Sequence, residues 1–217
     1  NQIVRILTQE TNEVEQTKWA TAPLPLSPQL ESISFVEKTV KVRLAGKHNL
    51  QTDKGDIPID IKFSEPSFFD VFGFELLSGN AQSLTNNPTT LFLTEKTAKK
   101  IFGNTNALGQ TVQFENLGSY TVEGIIQDPP LETHLPIEAM GSLHAGEMLE
   151  KKGAISNSSQ NWEAFKSSAI YARLKSEDNL KQLNTTLQNY NRKLDKSSLQ
   201  FFAQPIECQI MRIDRCK

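Results

Sequence analysis

The amino-acid sequence predicts an α+β domain, and three observations carry that expectation. Segments that alternate apolar and polar residues recur along the chain. In 57–65 (IPIDIKFSE), Ile57, Ile59, Ile61 and Phe63 share one face, the period-two signature of a half-buried strand. Other segments carry apolar residues at helical spacing. The clearest is 178–194, with Leu180, Leu183, Leu187, Tyr190 and Leu194 at steps of three and four. Turn residues separate these segments, among them Pro23, Pro25 and Pro28, the Asp53-Lys54-Gly55 run and Ser78-Gly79-Asn80.

The elements follow in order. Residues 3–10 alternate as a first strand. After the Pro-rich turn, Ser27 and Pro28 open a short helix reaching about Ile33. Residues 35–45 place Val36, Val40, Val42 and Leu44 largely on one face, and this strand can pair with 57–65 as an antiparallel hairpin. Residues 66–77 are the most apolar run. Pro66 suits a helix start, Gly73 its end, and Phe68, Phe69 and Phe72 fall at helical spacing. A second unit begins near Pro88. It has a strand at 89–93 and a helix capped by Thr94 and ended by Gly103, with Glu95 and Lys99-Lys100 matching its dipole. Strands at 110–114 and 119–127 complete it, stopped by Asp128-Pro129-Pro130. Beyond it come a strand over 138–144, a helix over 145–152 and a polar loop over 154–161. A strand at 168–174, the helix at 178–194 and a strand at 198–203 close the chain as a second βαβ segment.

The bulk numbers exclude several classes. At 217 residues the chain holds one large domain or two small ones. With 37% hydrophobic and 22% charged residues it lies outside the disordered range, and its twelve Phe can supply much of a core. Its net charge of −2 gives no footprint for nucleic acid. No stretch approaches the roughly 18 apolar residues of a membrane span, and no signal peptide is visible at Asn1, so the chain reads as an excised fragment. Cys208 and Cys216 make no zinc motif, and their spacing does not demand a disulfide.

Candidate chemistry is sparse, and no catalytic, cofactor-binding or metal-binding residue is assigned. His48, His134 and His144 are scattered over different elements; His144 and Glu147 can face one way on a helix, but two groups do not make a zinc site. Gly103 and Gly109 bracket a loop that follows a helix, with the wrong spacing and no Lys-Ser/Thr pair for a phosphate cradle. Ser142 lacks the frame of a nucleophile elbow. Asp56, Asp60 and Glu65 suit the wet face of a sheet better than an acid–base pair. The Phe cluster at 68–74 suits a core better than a ligand surface.

Three segments carry a resemblance. They are Ser67-Phe68-Phe69-Asp70-Val71-Phe72-Gly73-Phe74 with Leu76-Leu77-Ser78-Gly79; Leu93 to Gly103 (LTEKTAKKIFG) with Ala107-Leu108-Gly109-Gln110-Thr111; and Tyr120 to Pro130 (YTVEGIIQDPP) with Thr133-His134. In order and spacing they resemble the MacB-like periplasmic core domain of FtsX/MacB-type ABC-transporter permeases. The departure is at Glu207–Lys217, which does not read like the family's approach to its second membrane helix.

The resemblance implies a porter-like βαβ subdomain, residues 1–87 and 138–217, with a smaller, mostly β subdomain inserted at 88–137. It implies a non-catalytic periplasmic domain of an inner-membrane permease with four membrane helices, driven by a separate cytoplasmic ATPase subunit or domain. It also implies a permease dimer, an exported substrate or periplasmic protein partner, and no cofactor. Both ends of such a domain should emerge together, and 23–28, 80–88 and 128–137 are its hinge candidates. The alternatives are a periplasmic module that docks and activates a partner, such as a cell-wall hydrolase or lipoprotein, and a secreted hydrolase with a deep polar pocket.

Overall fold

The structure is a computed structural model and describes residues 2–11, 15–53, 55–129, 133–194 and 198–206. Cys208 and Cys216 lie outside the described residues, as does the whole of the C-terminal departure. Over the described residues the chain crosses twice between two units. Within the described residues the first comprises 2–41 and 158–206, and the second 42–157.

The first unit is built on strand β1 (Gln2–Thr11). One edge of β1 pairs antiparallel with β11 (Leu199–Pro205), from Val4↔Pro205 to Glu10↔Leu199. The other edge is shared by β10 (Ser168–Leu174), against Gln2–Arg5, and β2 (Gln16–Trp19), against Thr8–Thr11. Because β10 and β11 both run opposite to β1, they run parallel to each other with β1 between. The helix α6 (Asn179–Lys193) connects them, so β10-α6-β11 is a split βαβ unit. Its apolar stripe buries Leu183 and Leu187. These join Val4, Ile6, Ile170, Ala172, Leu199 and Phe201 in one core. The Pro-rich turn becomes a 3-10 turn at Leu24–Leu26 followed by α1 (Ser27–Glu31), and Leu26 and Leu30 are fully buried beneath it. Strand β2 was not expected from its sequence.

The second unit takes over strand β3 (Val36–Gln51) after Lys41. Its elements are β4 (Ile57–Ser64), α2 (Ser67–Phe72), β5 (Leu76–Gly79), α3 (Ser83–Asn86), β6 (Thr90–Thr94) and α4 (Glu95–Phe102). Then come β7 (Thr111–Phe114), β8 (Gly118–Ile126), β9 (Ala139–Ser142) and α5 (Leu143–Lys151). The expected β3–β4 hairpin forms, with a register shift at Gly46. β4 then pairs parallel with β9, β9 antiparallel with β6, and β6 parallel with β8. β8 pairs antiparallel with β7, whose Phe114 and Gln113 return to Leu50 and Gln51 of β3. The pairings β3–β4–β9–β6–β8–β7–β3 therefore close on themselves, so each of those six strands has a partner on both edges over part of its length. Strand β5 hangs on β8 outside this ring. Leu50, Ile59, Ile61, Phe63, Leu91, Leu93, Val112, Phe114 and Val122 form its core.

Local signals explain the helix ends. Thr94 caps α4 by accepting from Thr97 N, and Ser142 caps α5 by accepting from Ala145 N at 3.0 Å. α5 thus starts at Leu143, and the expected strand over 138–144 stops at its cap. Gly73 ends α2 in the left-handed region at φ 70°. The segment Leu76–Gly79 is strand β5, which takes in Ser78 and Gly79 of the expected turn. Residues 88–137 lie inside the second unit, where β6 and β8 share one ring with β3, β4 and β9.

Candidate functional site

The described residues bring no set of three or more His, Cys, Asp or Glu side chains within reach of one metal ion. His48 on β3 turns its Nε2 to the Ala45 carbonyl at 3.1 Å. His134 stands edge-on to Phe72, ring centroids 6.3 Å apart. His144 and Glu147 do share a face of α5, with Nδ1 and Oε2 3.6 Å apart, both exposed. Asp60 is tied up locally. Its Oδ2 receives Lys62 Nζ at 2.7 Å, and its backbone N donates to Glu138 Oε2 at 2.7 Å. Ser142 spends its hydroxyl on the α5 cap. The Phe cluster packs on itself: Phe68 meets Phe72 at 4.9 Å and Phe74 at 5.1 Å between ring centroids, and Phe68 and Phe72 are buried.

One cleft of about 750 Å³ opens beside the start of α4, lined by Thr94, Lys96, Lys100, Asp128, Thr133 and Glu138 among others. Its two carboxylates serve the fold. Asp128 Oδ1 accepts from Lys96 N at 2.9 Å, satisfying a donor of the first turn of α4, and Glu138 holds the backbone of Asp60. Nothing in it converges as a nucleophile and base would.

The most unusual electrostatics lie where the chain enters and leaves the second unit. Arg43, two residues past the first crossing, is 2% exposed. Its guanidinium pairs with Glu150 of α5, also buried, and donates to the carbonyl of Ser156, two residues before the second crossing. One side chain thus ties together the entry strand, α5 and the exit of this unit. Burial draws the Arg43 pKa down to about 10 and Glu147 opposes that shift, so the group stays charged at neutral pH. Room for it comes from Gly146: a Cβ there would stand 3.1 Å from Arg43 Cδ and 3.3 Å from the Phe63 ring. Alternation along β3 assigns Arg43 to the wet face. The only signal of its burial is Gly146 within a helix, and that cannot be read without the partner.

The ends of the described chain also meet. Val4 pairs with Pro205, and Ile206 N donates to Ile3 O at 3.0 Å. No helix among the described residues is long and apolar enough to cross a membrane.

Residues 1–190 match the MacB-like periplasmic core domain. This chain belongs to that family. No curated protein matches it. Three solved structures share its fold. A permease-protein domain from Porphyromonas gingivalis has a TM-score of 0.77 at 20% identity, covering 95% of this chain and 90% of that one. The periplasmic region of MacB from Actinobacillus actinomycetemcomitans has a TM-score of 0.68 at 15% identity, covering 100% and 94%. The extracellular domain of the ABC-type transporter YknZ from Gram-positive bacteria has a TM-score of 0.67 at 14% identity, covering 93% and 99%. The MacB-like core domain is a periplasmic part of ABC-transporter permeases, and the α+β class and the family expected from the three sequence segments both hold.

Proposed function

We propose that this MacB-like domain transmits force. It stands outside the cytoplasmic membrane as part of a permease and couples ATP hydrolysis on the far side to movement at an exported substrate or a docked periplasmic protein. The observation that supports this beyond family membership is the side-by-side exit of its ends, with Ile206 N bonded to Ile3 O. A domain hung between two membrane helices must bring its chain back to where it started, and the antiparallel β1–β11 pair does so within one hydrogen bond. A separate cytoplasmic ATPase subunit or domain supplies the energy, the permease works as a dimer, and the domain needs packing rather than a cofactor or a reactive group.

The family resemblance implies a smaller inserted subdomain at 88–137, within a porter-like part of 1–87 and 138–217. The closed strand ring argues for the wider bounds 42–157. The test uses the full-length permease with its ATPase in proteoliposomes, spin-labelled at exposed Lys99→Cys on α4 and Lys181→Cys on α6. The distance distribution between the labels is expected to shift between nucleotide-free and ATP-trapped states. Identical distributions in every state would end the proposal, as would a gene encoding no hydrophobic span on either flank.

A further inference from the structure

Strand β11 is the last strand on its side of the sheet. Successive residues of a strand send their backbone groups to opposite edges. Thr11 N donates to Ser198 O and Ile206 N to Ile3 O, so the even-numbered residues face β1. Leu199, Phe201, Ala203 and Pro205 then turn their backbones outward, where an unguarded edge would offer a template to another strand. The segment Leu199–Pro205 (LQFFAQP) carries no charge and two adjacent aromatics, and none of the usual lysine guards.

Helix α6 closes this edge with two side chains. Asn184 Oδ1 accepts from Ala203 N at 2.7 Å and its Nδ2 donates to Ala203 O at 3.1 Å. Asn191 Oδ1 accepts from Phe201 N at 3.1 Å and its Nδ2 donates to Phe201 O at 3.0 Å. Each side-chain amide presents a coplanar acceptor and donor, standing in for the C=O and N–H of the one residue that would sit opposite on an antiparallel strand. Pro205, the next outward residue, has no N–H to offer. The amides are not needed to dock the helix. Leu183 and Leu187 are fully buried beneath it, and Asn is a poorer helix former than Ala.

We propose that Asn184 and Asn191 are an edge guard: they occupy the backbone groups of β11 through which a second copy of this chain would add its own β11 as a further strand. The second copy fits because an antiparallel strand pair about a two-fold axis is self-complementary. It would set the same uncharged, aromatic segment against itself.

The test compares the 217-residue chain with its Asn184→Ala/Asn191→Ala variant, by light scattering over a concentration series and by amide hydrogen exchange. The variant is expected to self-associate at least tenfold more tightly than the wild type. Its Phe201 and Ala203 amides should exchange at least tenfold faster when dilute and become protected again as it associates. A folded variant that associates no more than the wild type overturns the proposal, even if those amides exchange faster. Should the double variant not fold, the single variants decide: each must associate more tightly than the wild type, and Asn189→Ala, on the exposed side of α6, must not.

Discussion

Polar groups buried at two places decide much of the second unit's behaviour. Arg43 and Glu150 sit together out of water, and a buried pair gains little over an apolar pair while a broken one is expensive. Arg43→Met leaves the Glu150 carboxylate buried without its guanidinium and frees the exit loop at Ser156. It should destabilise the chain by about 3–5 kcal/mol in urea unfolding. Arg43→Met/Glu150→Met should recover most of that loss, and a double variant as unstable as the single one would remove the pair from the account. Tyr120 is the second case. Burial against Phe114 raises its phenol pKa to about 12. The unfolded phenol ionises from about 10, so the stability this group contributes is complete below that pH and is lost as pH climbs toward 12. Arg43, drawn down to about 10, acts in the opposite sense over the same window. The difference between variants therefore isolates the tyrosine. Tyr120→Phe should lose less stability than wild type between about pH 9.5 and 11.5, by on the order of 2 kcal/mol.

At the scale of elements, strand β5 shows how a short segment is held by its neighbour rather than by its own pattern. Gly79 pairs with Gly124 of β8 at φ 96°, and a Cβ on it would stand 2.1 Å from the Glu123 carbonyl and 2.7 Å from Gly124 Cα. Gly79→Ala must push two backbones apart and should cost at least about 3 kcal/mol. Gly118→Ala, at φ 88° with open space around it, should cost about 1 kcal/mol of left-handed strain alone. Urea midpoints of the two variants check the contrast, and equal losses would contradict the close approach.

Alternation is strong where one face is buried, so β4 and β8 could be read, and the leucine stripe of α6 likewise. Thr94, Gly73 and Gly103 punctuate helices by side-chain chemistry and backbone freedom that any reader of the sequence can weigh. Strands β2 and β5 have four residues each and no clear alternation, and the polar second half of β3 is a strand because β4 and β7 pair with it. Which strand pairs with which is not written in periodicity at all. Of the candidate site, the shared helix face of His144 and Glu147 was legible from their spacing of three. The Arg43–Glu150–Ser156 cluster and the asparagine guard on β11 were not, since each joins residues far apart in sequence.

At the scale of the whole chain, the question is which part is a folding unit. Every residue of one core cluster, from Leu50 to Leu149, lies between the two crossings at 41/42 and 157/158, and every residue of the other lies outside them. A contiguous stretch with its own core and a strand ring that closes within it has what independent folding requires. The segment 42–157 expressed alone should therefore show a single cooperative thermal transition and dispersed amide resonances. The segment 88–137 should not. It keeps β6, β7 and β8 but loses β3, β4 and β9, so β6 and β7 each lose a partner and Leu91, Leu93 and Phe114 lose the Ile59, Ile61 and Phe63 wall. Burying a Leu or Phe side chain is worth about 1.5–3 kcal/mol, and three such exposures exceed what a fifty-residue fragment can spare. If 88–137 folds on its own and 42–157 does not, the ring is not the unit's organising element. The narrower stretch 88–137 would then be the folding unit of this part of the chain.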